Sequence, residues 1–349
     1  MNIMKCSGNF IFILCTCLLS GCFGGKNRPS SDKTTSALKA STIYGESTNN
    51  TQEKKPEKNS LSDKIEKKVS ISEDTTKSIP TITVWVHGTR LITKFAPQEF
   101  LFSPDGMKAI SEIPDRYHMH KIAKNLSEMN PQRFQVENFY LFGWSGKLSF
   151  EERKKASEDL YNELSDLSDN YYEQQGVRPH FRIITHSHGG NVALNLAGIQ
   201  DKKIPVISEL ILLACPVQER TKDFIKDPFF KRVYSFFSRG ELLQVIDPQG
   251  LYRGNKNQPL FSKRVFPDNP KLSQAEIKLY GRSILHIEFL FGYFVYKLPA
   301  MLDALDKEHA AQVKAKKFNE TDGDYVIIDI KKKQSTKKRK NRKHKTLVI

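Results

Sequence analysis

The sequence predicts a doubly wound, mostly parallel α/β sheet flanked by helices, filling residues 80–330 as one domain. Three observations lead there. Short, continuously apolar runs recur along this segment: TITVWVHGT (81–89), NFYLFGWSG (138–146), HFRIITHS (180–187), ELILLACP (209–216) and RVYSFFSRG (232–240). Parallel strands covered on both faces read in this unbroken way. Helical patterns lie between the runs, clearest at 149–175, where Ala156, Leu160, Leu164 and Leu167 recur at helical spacing among charges. Strands alternating with helices imply a parallel sheet, and about 250 residues suffice for one proper core. The third observation is that chemically distinctive residues follow the runs directly: His87-Gly88-Thr89, Trp144-Ser145-Gly146, Ser187 and Glu241. Ligands of doubly wound sheets bind at those strand ends.

Before the domain, residues 1–21 carry one early charge, Lys5, and an apolar stretch from Phe10 to Leu19. That build is a secretory signal, shorter than the roughly 20 apolar residues of a membrane span. Leu19-Ser20-Gly21-Cys22 resembles the bacterial lipoprotein box. The resemblance implies cleavage before Cys22, lipidation of its thiol, export, and attachment to a membrane. With Phe23 rather than Asp next, it favours the outer membrane where two membranes exist. Residues 22–79 are rich in Ser, Thr, Lys, Asn and Glu and nearly free of aromatics. They cannot bury enough apolar surface to offset ordering, so a disordered tether of roughly 40 Å is expected. Of the remaining cysteines, Cys6, Cys15 and Cys17 lie in the signal, so Cys215 has no partner and the fold must rest on its core. Cys215 closes an apolar run and is expected as a buried hydrophobe.

Residues 331–349 form a basic tail expected to be disordered, with ten Lys/Arg and no acid between 331 and 345. Of the formal +16, the tail holds +10, residues 1–21 hold +1 and residues 23–79 hold +3, which leaves +2 for residues 80–330. The high charge therefore belongs to the tail. On an exported protein, anionic lipid or cell-wall polymer is the expected partner in preference to nucleic acid, at about 1 kcal/mol per charge near an anionic surface. A merely solubilising tail is the alternative.

The stretch FRIITHSHGGNVALNLA (181–197) reads as a strand delivering Ser187 onto a sharp turn before a helix. A serine so placed needs a base to take its proton and a third group to orient the base. Gly189 and Gly190 after the serine let strand and helix approach closely. Thr185 stands where the G-x-S-x-G pattern has its first glycine.

With VHGT, this stretch resembles the α/β-hydrolases of the lipase and esterase type across most of residues 81–310. The resemblance implies hydrolysis of a carboxylic ester, a lipid or other acyl ester, through an acyl-serine. It implies a chain order of Ser, then Asp/Glu, then His. Ser187 is then the nucleophile. His286, in GRSILHIEF, is the implied base; His309 falls in a helical pattern and His344 in the tail. Glu241 is the implied acid, with Asp247 in QVIDPQG as the alternative. The oxyanion donors are the backbone N–H groups of His188 and Thr89, with His87 shaping the loop. Trp144 and Ser145 are expected to line the substrate pocket, unless the aromatic strand end is simply packed. The Phe- and Tyr-rich segments 224–237 and 284–299 suit either a cleft wall or the core. No metal or organic cofactor is implied. A thioesterase or acyltransferase with the same triad, or an inactive hydrolase fold that tethers the envelope, are the alternatives.

Overall fold

The computed structural model describes residues 79–90, 98–199, 207–241, 264–314, 324–330 and 345–349. The signal segment, Cys22, the tether up to residue 78, Asp247, and residues 331–344 of the tail lie outside the described residues.

Among the described residues, ten strands form one sheet: β1 (Thr81–Val86), β2 (Gly106–Ala109), β3 (Phe139–Gly143), β4 (His180–His186), β5 (Ile207–Leu213), β6 (Phe230–Phe237), β7 (Leu272–Leu279), β8 (Arg282–Ser283), β9 (Val326–Ile330) and β10 (Thr346–Val348). Their order is β10-β9-β7-β6-β5-β4-β1-β3-β2, with β8 paired to β7. Among the described residues, only β2 with β3 and β7 with β8 run antiparallel. From β1 the chain goes to the edge strand β2, comes back to β3 between them, then crosses to the other side of β1 with β4. The sheet order therefore reverses between β1 and β4, which pair in parallel up to Val86 opposite Thr185. A crevice opens at such a reversal, beyond the carboxyl ends of the strands.

Side-chain alternation divides the core between the two faces. Trp85, Ile184, Ile211 and Leu213 meet Met119, Ile122 and Leu126 of helix α1 (His118–Met129) and Leu298, Met301 and Leu302 of the long C-terminal helix. Val84, Val86, Ile183 and Leu212 meet Ala156, Leu160 and Leu164 of α2 (Phe150–Gln175) and Val192 to Leu194 of α3 (Gly189–Asn195). The C-terminal helix, α4, spans Leu298–Lys314. This is the doubly wound architecture expected, and both faces are covered as the unbroken apolar runs require. Helix α2 starts where the sequence suggests: Ser149 caps the Glu152 N–H at 3.3 Å, and Gly176 ends the helix at φ 74°. Fully burying Leu160 and Leu164 contributes about 1.5–3 kcal/mol each. Most of the aromatics of 224–237 and 284–299, including Phe230, Phe236, Phe289 and Phe294, are core residues.

One expectation is corrected. The chain does not leave the fold at residue 330: Thr346–Val348 pair in parallel with β9. The reason is local composition, since the basic run gives way to the apolar terminus TLVI, and Leu347 and Ile349 pack against the core. Lys345 pairs with Glu308 of α4 beside this strand.

Candidate active site

The crevice between β1 and β4 gathers the distinctive strand-end residues. Ser187 follows β4 and has φ 54°, a left-handed conformation that a residue with a Cβ adopts only under constraint. The constraint is visible: the Ser187 N–H donates to the Leu213 carbonyl at 2.9 Å, and the Ser187 carbonyl accepts from the Gly190 N–H at 2.9 Å. The glycines are required by contact. A Cβ on Gly189 would lie 2.5 Å from the His87 carbonyl oxygen, and one on Gly190 2.4 Å from Cys215 Sγ. Cys215 is indeed a buried free thiol. Thr185 is fully buried, and its hydroxyl donates to the Ile211 carbonyl of β5 at 3.3 Å. The departure from glycine is thus accommodated within the sheet, leaving the turn itself undistorted by it.

The loop after β1 is held by a buried histidine. His87 Nδ1 donates to the Gly88 carbonyl at 2.7 Å, while Nε2 accepts from the Trp144 N–H at 3.1 Å. Burial lowers the His87 pKa to about 4, so the ring is neutral at ordinary pH and these bonds define its tautomer. With the Gly88 carbonyl turned to His87, the trans peptide sends the Thr89 N–H the opposite way. That N–H has no acceptor among the described residues, and the Thr89 hydroxyl is buried without a partner. Gly88 stands against the nucleophile turn, where a Cβ would approach Ser187 Cβ to 2.8 Å. His188, on the other side, begins α3. Gly88 on one side and His188 on the other thus flank Ser187.

Trp144 and Ser145 take other places than the expected pocket lining. Trp144 is 4% exposed, stacks on His87 at 5.9 Å, and donates through Nε1 to the His87 carbonyl at 2.8 Å. It braces the loop after β1 through His87. Ser145 is exposed and donates to Glu152 at 2.8 Å. A cavity of about 130 Å³ opens farther along the same loop, lined by Arg90, Phe102, Ser103, Asp105 and Tyr117.

His286 and Glu241 come together from different segments. His286 Nδ1 lies 3.0 Å from Glu241 Oε2, and the carboxylate is fully buried. Nδ1 donates there, leaving Nε2 as an acceptor. Glu241 Oε1 accepts from the Ser238 N–H at 2.6 Å, and Arg264 Nη1 approaches Oε2 at 3.1 Å. The acid turn fits against the histidine segment because Gly240 has no side chain; a Cβ there would lie 2.6 Å from the Ile284 carbonyl. His309 stands apart in α4, against the Pro270 carbonyl.

Three supporting residues escape the sequence reading. His186 reaches over from β4: its Nε2 donates to the His286 carbonyl at 3.1 Å, with ring centroids 4.7 Å apart. It is the first histidine of HSH, so its adjacency to Ser187 was the available signal. Glu288 holds the histidine turn, accepting from the Leu285 N–H at 2.6 Å, from Arg282 at 2.6 and 2.9 Å, and from Tyr293 at 2.5 Å. An acid inside the apolar run SILHIEFL marked it. Nothing in the sequence around Arg264 pointed to the site.

Ser187 Oγ makes no hydrogen bond among the described residues. Nucleophile–base bonds are often long before substrate binds and tighten in the complex. No cluster of three or more His, Cys, Asp or Glu suited to a metal exists among the described residues.

The strand order and the strained turn after β4 are those of the α/β-hydrolase fold. No protein-family model and no curated protein matches the sequence. Among solved structures, the chain is similar to lipase B of Aspergillus fumigatus, at 10% identity and a TM-score of 0.38 over 68% of this chain and 54% of that one. The chain thus spans about half the length of that lipase. It is also similar to a hyperthermophilic esterase of Pyrobaculum calidifontis, at 14% identity and a TM-score of 0.31 over 68% and 75% of the two chains. Phospholipase PlaB of Legionella pneumophila aligns at 15% identity and a TM-score of 0.28, over 58% of this chain and 40% of that one.

Proposed function

We propose that this protein is a serine hydrolase that cleaves carboxylic esters through an acyl-serine intermediate. One observation carries the reading: a serine forced to φ 54° at the end of β4, whose neighbour His186 touches His286 of a histidine–glutamate pair held at 3.0 Å. Ser187 Oγ attacks the ester carbonyl carbon while His286 Nε2 takes its proton. Glu241 holds the resulting imidazolium through Nδ1, and the Thr89 and His188 N–H groups face the oxyanion. Collapse expels the alcohol, which receives the proton from His286. Water then repeats the sequence on the acyl-serine, and the acid leaves.

The substrate class is an acyl ester, with lipids favoured by the lipoprotein-like segment ending at Cys22. In this reading the protein is exported and anchored to a membrane through that cysteine, the outer one where there are two. The tether gives the domain reach, and the basic segment 331–345 engages anionic lipid or wall polymer.

A fluorophosphonate probe tests the chemistry. Labelling of wild type and not of Ser187→Ala supports it; no labelling of folded wild type leaves an inactive tethering module as the better reading. Glu241→Gln should lower turnover by about 10³–10⁴-fold, as removal of a triad acid does, and Asp247→Asn should leave it within about twofold. The reverse pattern would move the acid to Asp247.

A further inference from the structure

We propose that Arg264 is a positioning residue for Glu241, holding its carboxylate ionised and aimed at His286, and thereby setting the acid limit of turnover. The inference rests on the serine-hydrolase reading above.

Burial poses the problem that Arg264 answers. Glu241 is 0% exposed and Arg264 2%. A lone carboxylate at such a depth takes up a proton sooner than stay charged. His286 supplies a hydrogen bond to Oε2, and the Ser238 N–H supplies another to Oε1. Among the described residues, Arg264 is the cation in contact with the carboxylate, with Nη1 at 3.1 Å from Oε2. Burial draws the guanidinium below its ordinary value while Glu241 pulls it back up, and arginine stays protonated throughout the pH range of an assay.

The contact is also geometric. Nη1 of Arg264 donates to the Ser238 carbonyl at 2.9 Å, so one guanidinium grips the acid and the start of the turn that carries it. Glutamate has one more rotor than aspartate, and this two-point hold restricts it. A longer acid thus presents one oxygen to His286 as a shorter acid would.

The electrostatic consequence has a definite sign. Glu241 Oε2 is shared between His286 and Arg264. The imidazolium formed when Ser187 loses its proton therefore meets a carboxylate already compensated by a cation. Arg264 disfavours the protonated base and favours the ionised acid, and both effects extend activity toward lower pH. The other titratable groups facing the pair carry no charge there: burial, then repulsion from His286, lowers His186 to about 3, and burial pushes the Cys215 thiol up. Removing Arg264 is thus the change that moves the limb.

The test uses the full chain and p-nitrophenyl butyrate, with kcat followed from about pH 4.5 to 9 for wild type, Arg264→Gln and Arg264→Lys. In Arg264→Gln the acid limb should move up by about one pH unit, as for loss of a neighbouring cation, and plateau turnover should fall about tenfold. Arg264→Lys keeps the charge and loses the rigid planar guanidinium that sets Nη1 between the Glu241 carboxylate and the Ser238 carbonyl. Its limb should stay in place while its plateau falls at least about fivefold. A folded Arg264→Gln whose limb stays put overturns the proposal, whatever its turnover. Should that variant not fold, Arg264→Lys decides, because a wild-type plateau there overturns the positioning role. If wild type neither turns over ester nor labels with fluorophosphonate, the hydrolase reading fails and this inference with it. If Ser187-dependent turnover is present, only the role of Arg264 is at stake.

Discussion

His186 Nε2 donates to the His286 carbonyl at 3.1 Å, joining the residue before the candidate nucleophile to the backbone of the candidate base across 100 positions of sequence. The bond fixes the spacing of two segments that share no strand pairing. His186→Phe keeps the ring packing and removes the donor. We expect kcat to fall about tenfold with KM nearly unchanged, since the loss is of alignment during reaction. Stability should drop by about 1–3 kcal/mol, because the His286 carbonyl loses its partner in a buried site. Steady-state kinetics with urea unfolding of the same preparation checks both; unchanged kcat would reduce His186 to packing.

Thr185 is the point at which the nucleophile turn departs from the glycine pattern, and its buried hydroxyl bonds to the Ile211 carbonyl. Thr185→Gly should therefore not improve the enzyme. It removes a hydrogen bond and a β-branched residue from the end of β4, at a cost of about 1–2 kcal/mol, with no gain in kcat/KM. Gly189→Ala makes the contrast. Its Cβ would meet backbone oxygens of His87 and Val86 at 2.5 and 2.6 Å, which move only with β1. Overpacking there should cost about 1–3 kcal/mol and most of the activity. A rise in kcat/KM for Thr185→Gly would show that the threonine does crowd the turn.

Much of this site was legible because its parts obey strand-end logic. The unbroken runs at 81–86 and 180–186 mark buried parallel strands, so His87, Gly88, Thr89 and Ser187 could be placed at one end of the sheet. The pairing of Glu241 with His286 followed the expected order along the chain. What was hidden is polar or distant. Strand β7 carries Ser273, Gln274 and Glu276, all buried, and so lacks the apolar run that revealed its neighbours. Arg264 reaches the acid from a segment with no periodic signal. Trp144 looked like pocket lining because an aromatic at a strand end is ambiguous until its indole N–H is seen bonded to His87. The return of the chain as β10 depends on three pairings that a run of lysines gives no reason to expect.

His87 links the loop after β1 to pH. Its folded pKa, about 4, lies below the ordinary imidazole value of 6.5 because burial disfavours the charged ring. Between those values the unfolded chain binds a proton that the folded chain does not, so folding stability falls as pH drops from about 6.5 to 4. The full penalty for this one residue is on the order of 3 kcal/mol. His87→Gln should flatten the stability profile over that window. It should also lower kcat, because the Gly88 carbonyl loses its anchor and the Thr89 N–H its aim. Urea midpoints at pH 4.5, 5.5 and 7 measure the first effect. A slope identical to wild type would mean that other groups carry the acid sensitivity.

Glu209 offers a control at the opposite end of the sheet. It sits near the start of β5, bonds Arg133 at 2.8 Å, and pairs with Arg182 near the start of β4. Arg133 continues to Asp303 and Asp306 of α4 at 3.1 and 3.3 Å, and Tyr234 of β6 donates to Asp306 at 2.6 Å. The network thus clips α1's trailing loop and α4 to the amino ends of the strands, away from Ser187. Glu209→Gln leaves two arginines facing a neutral amide. Breaking a fully buried pair costs about 3–5 kcal/mol. Here Glu209 is 18% exposed, so water and the remaining acids soften the loss to about 1–3 kcal/mol. Because the site lies at the other strand ends, kcat of the folded protein should stay within about twofold of wild type. A large loss of kcat at unchanged stability would mean that the two ends of the sheet are coupled through β4 and β5, whose strands carry Arg182 and Glu209 at one end and lead to Ser187 at the other.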